Sequence, residues 1–243
     1  MLEIKNLTGG YSSRQPVIHD ISFTVRPGEI VGLIGLNGAG KSTTIKQILG
    51  FLHPGSGEIL FDGISTEQES VRFRKQVAYI PETPYLYPEL TLEEHLELTA
   101  MAYSLNDRWK ERILPLLREF QMENVLEWYP STFSKGMRQK VMVLCAFLVQ
   151  PKLLIVDEPF IGLDPLAIHS LLERMLQLKQ QGTGILLSTH VLATAEKYGD
   201  RFVLLKKGRI VLSGKLEEMR KQAGLSGASL DDLFIHVSKD ENR

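Results

Sequence analysis

The sequence predicts an α/β domain: a parallel sheet with helices, opened by short antiparallel strands and interrupted by a helical lobe. Three observations carry that prediction. Near-continuous apolar runs, EIVGLIG, LLIVDEP and GILLSTH, suit strands buried on both faces of a parallel sheet. Alternating residues before position 30 suit half-buried antiparallel strands. Residues 91 to about 149 carry helical caps and helical spacing instead.

Taken in order, Leu2 and Ile4 alternate with Glu3 and Lys5, and Ile21, Phe23 and Val25 alternate with Ser22, Thr24 and Arg26. PGSGEILFDG adds a turn and a further short strand. Thr91 followed by Glu94 makes a capping box ahead of HLELTAMA. RWKERILPLLREF continues the helical pattern, with Pro115 expected to kink or restart the helix. Asp164 caps a later helix, Pro165 takes its first position, and Gly182 stops it after Leu171, Leu172, Met175 and Leu176. FVLLKKGRIVLSG reads as a hairpin around Lys207-Gly208. No repeat, low-complexity linker or sustained heptad intervenes. The expected organisation is a single domain over residues 1–243, with a helical lobe at about 91–149 and a C-terminal tail at about 214–243.

Composition narrows the function classes. At 243 residues the chain can bury roughly 70–75% of its unfolded surface without staples. A formal net charge of -1 gives no bulk pull toward nucleic acid or an anionic membrane. One cysteine, Cys145, excludes a disulfide framework and reads as a small buried hydrophobe in VMVLCAFLV. That run falls far below the roughly 18–20 residues of a membrane span. The start, MLEIKNLTGG, lacks the basic and apolar regions of a secretion signal. Any membrane role is therefore expected to come through a partner.

The stretch IVGLIGLNGAGKSTTIKQIL is the most specific in the chain. Gly35, Gly40, Lys41 and Ser42 satisfy G-x-x-x-x-G-K-[ST], between a predicted strand and a predicted helix. Glycines let consecutive N–H groups turn inward around an anion, and the following helix adds its positive dipole end. Gly35, Leu36, Asn37, Gly38, Ala39, Gly40, Lys41, Ser42 and Thr43 are thus the expected phosphate cradle. Lys41 would hold β- and γ-phosphate oxygens, and Ser42 would ligate magnesium. The spacing does not fit G-x-G-x-x-G, so a dinucleotide reading fails and a nucleoside triphosphate is expected.

LLIVDEP delivers two carboxylates to a strand's C-terminal end, where α/β sheets bind ligands. Asp157 can hold the metal, and Glu158 can orient or deprotonate an attacking water. GILLSTH ends a further strand on His190, placed to contact a γ-phosphate. The other five histidines have no such setting and read as surface or satisfied residues.

GLNGAGKST, FSKGMRQK, LLIVDEP, GLDP and STH occur in the order and approximate spacing of the ATP-binding cassette family. The chain resembles that family over nearly its whole length, and within it the ATPase subunits of bacterial exporters of the Ecs type. The resemblance implies a P-loop NTPase (RecA-like) core with an antiparallel β subdomain and an inserted helical subdomain. It also implies ATP and Mg2+ as cofactors, and Lys41, Glu158 and His190 as catalytic residues. Ser134, Lys135 and Gly136 would contact ATP held by the opposite subunit, with Asp164 crossing the dimer interface, capping its own helix, or both. Lys135 and Met137 depart from the usual Leu-Ser-Gly-Gly-Gln, leaving the hydrogen-bond detail open while adding positive charge.

Glu82, in YIPETP, stands where the family often has glutamine, and is either a metal ligand with Ser42 and Asp157 or a solvated loop acid. Tyr11 stands where the family commonly stacks an aromatic on adenine, although a core or surface tyrosine is the alternative. YLYPEL, residues 85 to 90, is either a docking patch for a membrane subunit or tucked under the helical lobe. The implied partners are an integral-membrane permease and a second copy of the chain or a related cassette, with no nucleic acid expected. The implied location is cytoplasmic, peripheral on the inner face of the cell membrane. A non-transport cassette ATPase, of ribosome-associated, DNA-repair or scaffold type, is the competing class.

Overall fold

A computed structural model describes residues 1–12 and 14–239. The alternating start forms β1 (Leu2–Gly9) and β2 (Ile18–Val25), paired antiparallel. The register shifts between Ile4 and Leu7, where Asn6 takes a φ of 50°, so Leu2, Ile4 and Leu7 are all buried. After β3 (Ile30–Ile34), β4 (Ser56–Phe61) and β5 (Ile64–Ser65) complete a four-stranded sheet in the order β2-β1-β4-β5.

A six-stranded sheet carries the site. Its order is β10-β9-β3-β8-β7-β6, from β6 (Val77–Ile80), β7 (Leu153–Asp157), β8 (Gly184–Ser188), β9 (Arg201–Lys206) and β10 (Arg209–Gly214). The strands from β9 to β6 run parallel, and every residue of β3, β7 and β8 is buried. β10 turns back on β9 through Lys207 and Gly208, at φ 48° and 73°, the left-handed pair that a tight hairpin requires.

Helix α1 (Lys41–Ile48) follows β3, and the short α2 (Ser70–Arg74) precedes β6. Between β6 and β7 lie α3 (Leu92–Ala102), α4 (Trp109–Glu119) and α5 (Lys135–Val149). The capping box of α3 forms as expected: Glu94 N donates to Thr91 Oγ1 and Thr91 N to Glu94 Oε2. Pro115 does not restart α4, which continues from Trp109 to Glu119. The proline sits on the solvent side, whereas Trp109, Ile113, Leu116 and Leu117 bury the opposite face and hold the helix together. In α6 (Pro165–Gln180) Asp164 Oδ1 accepts from Ala167 N at 2.9 Å, and Gly182 lies beyond the end at φ 95°. Helices α7 (Leu192–Tyr198), α8 (Leu216–Ala223) and α9 (Leu230–Lys239) close the chain.

Among the described residues, three apolar clusters join these layers. One packs α3 to α6 on one face of the large sheet, a second fills the space between the two sheets and α1, and a third lies under α7 to α9. Each fully buried Leu or Ile contributes roughly 1.5–3 kcal/mol. Cys145 is half-buried against the first cluster, its thiol pushed up to about 11 by burial. His95 is structural. Its Nε2 accepts from Tyr87 N at 3.0 Å, so Nδ1 donates to Thr91 O at 2.7 Å. In YLYPEL the two tyrosines are exposed, whereas Leu86 packs on the first cluster.

The sheet order has a direct consequence for function. β3, β8, β7 and β6 are consecutive neighbours with parallel direction, so their C-terminal tips line up along one edge of the sheet. Ligands of open α/β sheets bind at such edges.

Candidate active site

Above those four tips lies a cavity of about 890 Å³, lined by Tyr11, Gly35, Leu36, Asn37, Gly38, Gly40, Lys41, Ser42, Thr43, Glu82, Glu158 and His190. Its floor is the loop between β3 and α1. A side chain at Gly35 would sit 2.6 Å from Leu205 O, and Gly40 takes a φ of 109°. Gly40 stands at the N-cap of α1 without any side-chain cap, and the first turn contains no acidic residue. The helix therefore presents open amides and its positive dipole end to the cavity. Ala39 belongs to the loop but lies behind it, buried in the cluster between the sheets.

Lys41 is 6% exposed, and its Nζ donates to Gly35 O at 2.7 Å. The same Nζ lies 3.7 Å from Glu158 Oε1. Glu158 follows the end of β7 at a φ of 46°, a left-handed conformation held by its N–H donating to Ser188 O at 2.9 Å. Its other oxygen, Oε2, accepts from His190 N at 3.1 Å and from His190 Nδ1 at 2.6 Å. Since a carboxylate only accepts, Nδ1 carries the proton. Glu158 is 7% exposed, yet the His190 side chain remains 60% accessible and lies along the cavity. One buried carboxylate thus bridges an ammonium and an imidazole at the edge of a space shaped for an anion.

Asp157, one residue earlier, is 3% exposed. Burial raises its pKa, opposed by the nearby Ser188 and Ser42 hydroxyls and reinforced by the charges of Glu158 and Glu82. Its Oδ1 has no hydrogen-bond partner among the described residues. A buried carboxylate oxygen left unpartnered beside a serine hydroxyl fits a hard cation bound together with phosphate. Glu82 is exposed and lines the cavity from the tip of β6.

Tyr11 reaches the cavity from the loop after β1, 64% exposed. Lys46 Nζ donates to its hydroxyl at 3.1 Å and lies 5.2 Å from the ring centroid. Lys46, from α1, is a contact that sequence reasoning missed, as are the lining residues Val17, Ile161, Leu192 and Phe234. Phe234 lies on α9, 76 residues beyond Glu158, and nothing in its local pattern marks it.

Ser134, Lys135 and Gly136 stand outside this cavity. Ser134 caps α5, its Oγ accepting from Met137 N at 3.2 Å. A Cβ at Gly136 would fall 2.3 Å from Gly162 O, so this loop packs directly on the segment that leads to Asp164. Asp164 Oδ2 is held at 2.8 Å by Lys140 Nζ, which with the α6 cap lowers its pKa. The loop therefore belongs to a separate surface, supported from behind by the residues that follow Glu158.

The chain matches the family model described as ABC transporter over residues 18–161. It is 54% identical, across 99% of its own length and 98% of the relative, to the ABC-type transporter ATP-binding protein EcsA of Bacillus subtilis (strain 168). The SkfA peptide export ATP-binding protein SkfE of the same organism is 34% identical, with 92% of each chain covered. A solved structure described as the ATP binding subunit of an ABC transporter superposes with a TM-score of 0.95 at 57% identity, covering 98% of this chain and 100% of that one. A P-loop with open amides, a carboxylate shared between lysine and histidine, and these matches lead to one conclusion: the chain belongs to the ABC transporter family, as an ATP-binding and ATP-hydrolysing subunit.

Proposed function

We propose that this subunit powers export through a separate integral-membrane permease, by closing on a second cassette when ATP binds and opening after hydrolysis. Cassette subunits of this family work with membrane subunits and dimerise. The observation that carries the mechanism is the placement of Glu158, 2.6 Å from His190 Nδ1 and 3.7 Å from Lys41 Nζ at the cavity wall. In the proposed reaction, a water oxygen attacks the γ-phosphorus, its proton passes to Glu158, and the bond to the bridging oxygen breaks to release ADP. The loop amides, Lys41 and His190 stabilise charge on the transferring phosphoryl oxygens. Tyr11 offers an exposed ring face for adenine, braced by Lys46. Ser42 and Asp157 would hold magnesium, with Glu82 offering a third oxygen, and the ion would neutralise charge on the phosphates. Ser134, Lys135 and Gly136, lying outside their own cavity, serve ATP on the opposite subunit, which is a second copy or a related cassette. Asp164 lies at that dimer interface.

Residues 1–243 act as one cassette, with 91–149 as its helical lobe and 214–243 as its tail; residue 13 and residues 240–243 of this span lie outside the described residues. Among the described residues no helix is long and apolar enough to cross a membrane. On the two-cassette transporter reading the subunit sits on the cytoplasmic face of the membrane, docked on its permease through a surface that includes the 89%-exposed Tyr85. Export rather than import follows the SkfE relative, whose name describes peptide export. Purifying the tagged chain from membranes and identifying the co-eluting protein tests the reading. An integral protein that stimulates ATP turnover is the expected result, whereas a chain that stays in the soluble fraction and co-sediments with ribosomes would overturn it.

A further inference from the structure

Helix α5 is tied to the nucleotide cavity of its own chain by one buried side chain of the FSKGMRQK stretch, lying beyond the residues expected to contact ATP. Gln139 is 0% exposed, on the second turn after Ser134. Its Nε2 donates to Pro81 O at 3.0 Å, and its Oε1 has no partner among the described residues. Pro81 immediately precedes Glu82, at the tip of the edge strand β6. The assignment of the amide follows from its partner, since a carbonyl can only accept. An aliphatic residue at this buried position would leave no orphaned oxygen, and leaving a buried acceptor unpaired is unfavourable. What glutamine adds is one directional bond between the loop carrying Glu82 and the helix carrying Ser134, Lys135 and Gly136. The next residue, Lys140, makes the equivalent tie to Asp164 at 2.8 Å.

We propose that Gln139 is a positioning residue that sets the angle of α5 from the state of the Glu82 loop, and so couples a chain's own nucleotide site to the loop it presents to its partner's ATP. The inference rests on the two-cassette reading above. Gln139 touches no nucleotide. Its effect passes through Pro81 on one side and the first turn of α5 on the other, as expected of a contiguous, buried connection.

The test uses the full-length chain with Glu158→Gln, in which ATP should persist uncleaved, and measures Mg-ATP-dependent dimerisation by sedimentation over a range of protein concentrations. Gln139→Met, which keeps length and removes the donor, should raise the concentration needed for dimerisation at least ~10-fold. Affinity for a fluorescent ATP analogue, read in dilute single chains, should stay within about twofold, because Gln139 does not line the cavity. Gln139→Glu supplies a second readout: its carboxyl can donate to Pro81 O only when protonated. Dimerisation of that variant, relative to the parent at each pH, should recover as pH falls below the raised pKa that burial imposes. A Gln139→Met dimer formed at the parent concentration overturns the proposal, as does a Gln139→Glu dimer with no such recovery, or a matching loss of single-chain affinity. If the Glu158→Gln parent itself fails to dimerise with ATP, the two-cassette reading falls and this coupling with it.

Discussion

Replacing Gly136 by alanine adds one methyl group at the tightest point behind the loop that follows Ser134. The new Cβ would lie 2.3 Å from the backbone oxygen of Gly162. Ordinary contact needs roughly 3.5 Å, so the two segments must separate by about 1 Å. Gly162 cannot absorb this by swinging a side chain aside, and its φ of 87° fixes the turn that places Asp164. Ser134 and Lys135 are exposed, so the loop at the start of α5 is the part that moves. Overpacking costs about 1–3 kcal/mol, and relief into solvent puts this case near the lower end. For a domain of this size about 1 kcal/mol is about 2–4 °C of melting temperature. The larger effect is on catalysis, because a 1 Å displacement of a group that completes a site can cost up to ~10²-fold. Phosphate release at saturating ATP should therefore fall ~10- to 100-fold, while single-chain ATP affinity stays unchanged. A Gly136→Ala chain with the parent's turnover and melting temperature would refute the argument.

Other outcomes follow from the same geometry. Tyr11→Ala should weaken ATP binding by about 1–3 kcal/mol, as loss of a stacked base does, whereas Tyr11→Phe keeps the ring and most of the affinity. Equal loss in the two, measured by titration calorimetry, counts against stacking. Glu82→Gln should preserve hydrolysis, since the amide oxygen still faces the cavity, and a complete loss of turnover would assign the carboxylate a greater part. Asp157→Asn should melt above the parent at neutral pH without nucleotide. Burial raises the folded-state pKa of Asp157, so stability is lost as pH climbs from the unfolded-state value to the raised folded-state value, and stays lost above it. The gap should close as pH falls well below about 4, the ordinary Asp value, where the carboxyl is protonated folded and unfolded alike. Scanning calorimetry showing a gap that widens at low pH would contradict this.

Much of the site was legible because its chemistry sits where local patterns change. Lys41 and Ser42 mark the strand-to-helix junction, and Asp157 and Glu158 end an apolar run, so period and punctuation alone located them. Helix caps at Thr91 and Asp164 were equally local. What escaped depends on register between distant segments. The four residues of β6 are too few for a periodic signal, so Glu82 is reached only through the family resemblance and not through spacing, and pairing with β7 brings it near Asp157. The Tyr11–Lys46 contact spans 35 residues and the Pro81–Gln139 bond 58, neither foreshadowed by spacing. Of the two outcomes expected at Pro115, the restart does not occur. The proline's local penalty is real, but four buried neighbours on the other face of α4 outweigh it.

The central claim is that Glu158 takes the proton of the attacking water. Glu158→Gln keeps shape while removing the base, and single-turnover hydrolysis of labelled ATP by this variant tests the claim most directly. At least a ~10²-fold slower cleavage, with ATP still bound and recoverable intact, is the predicted result. Cleavage at the parent's rate would contradict it.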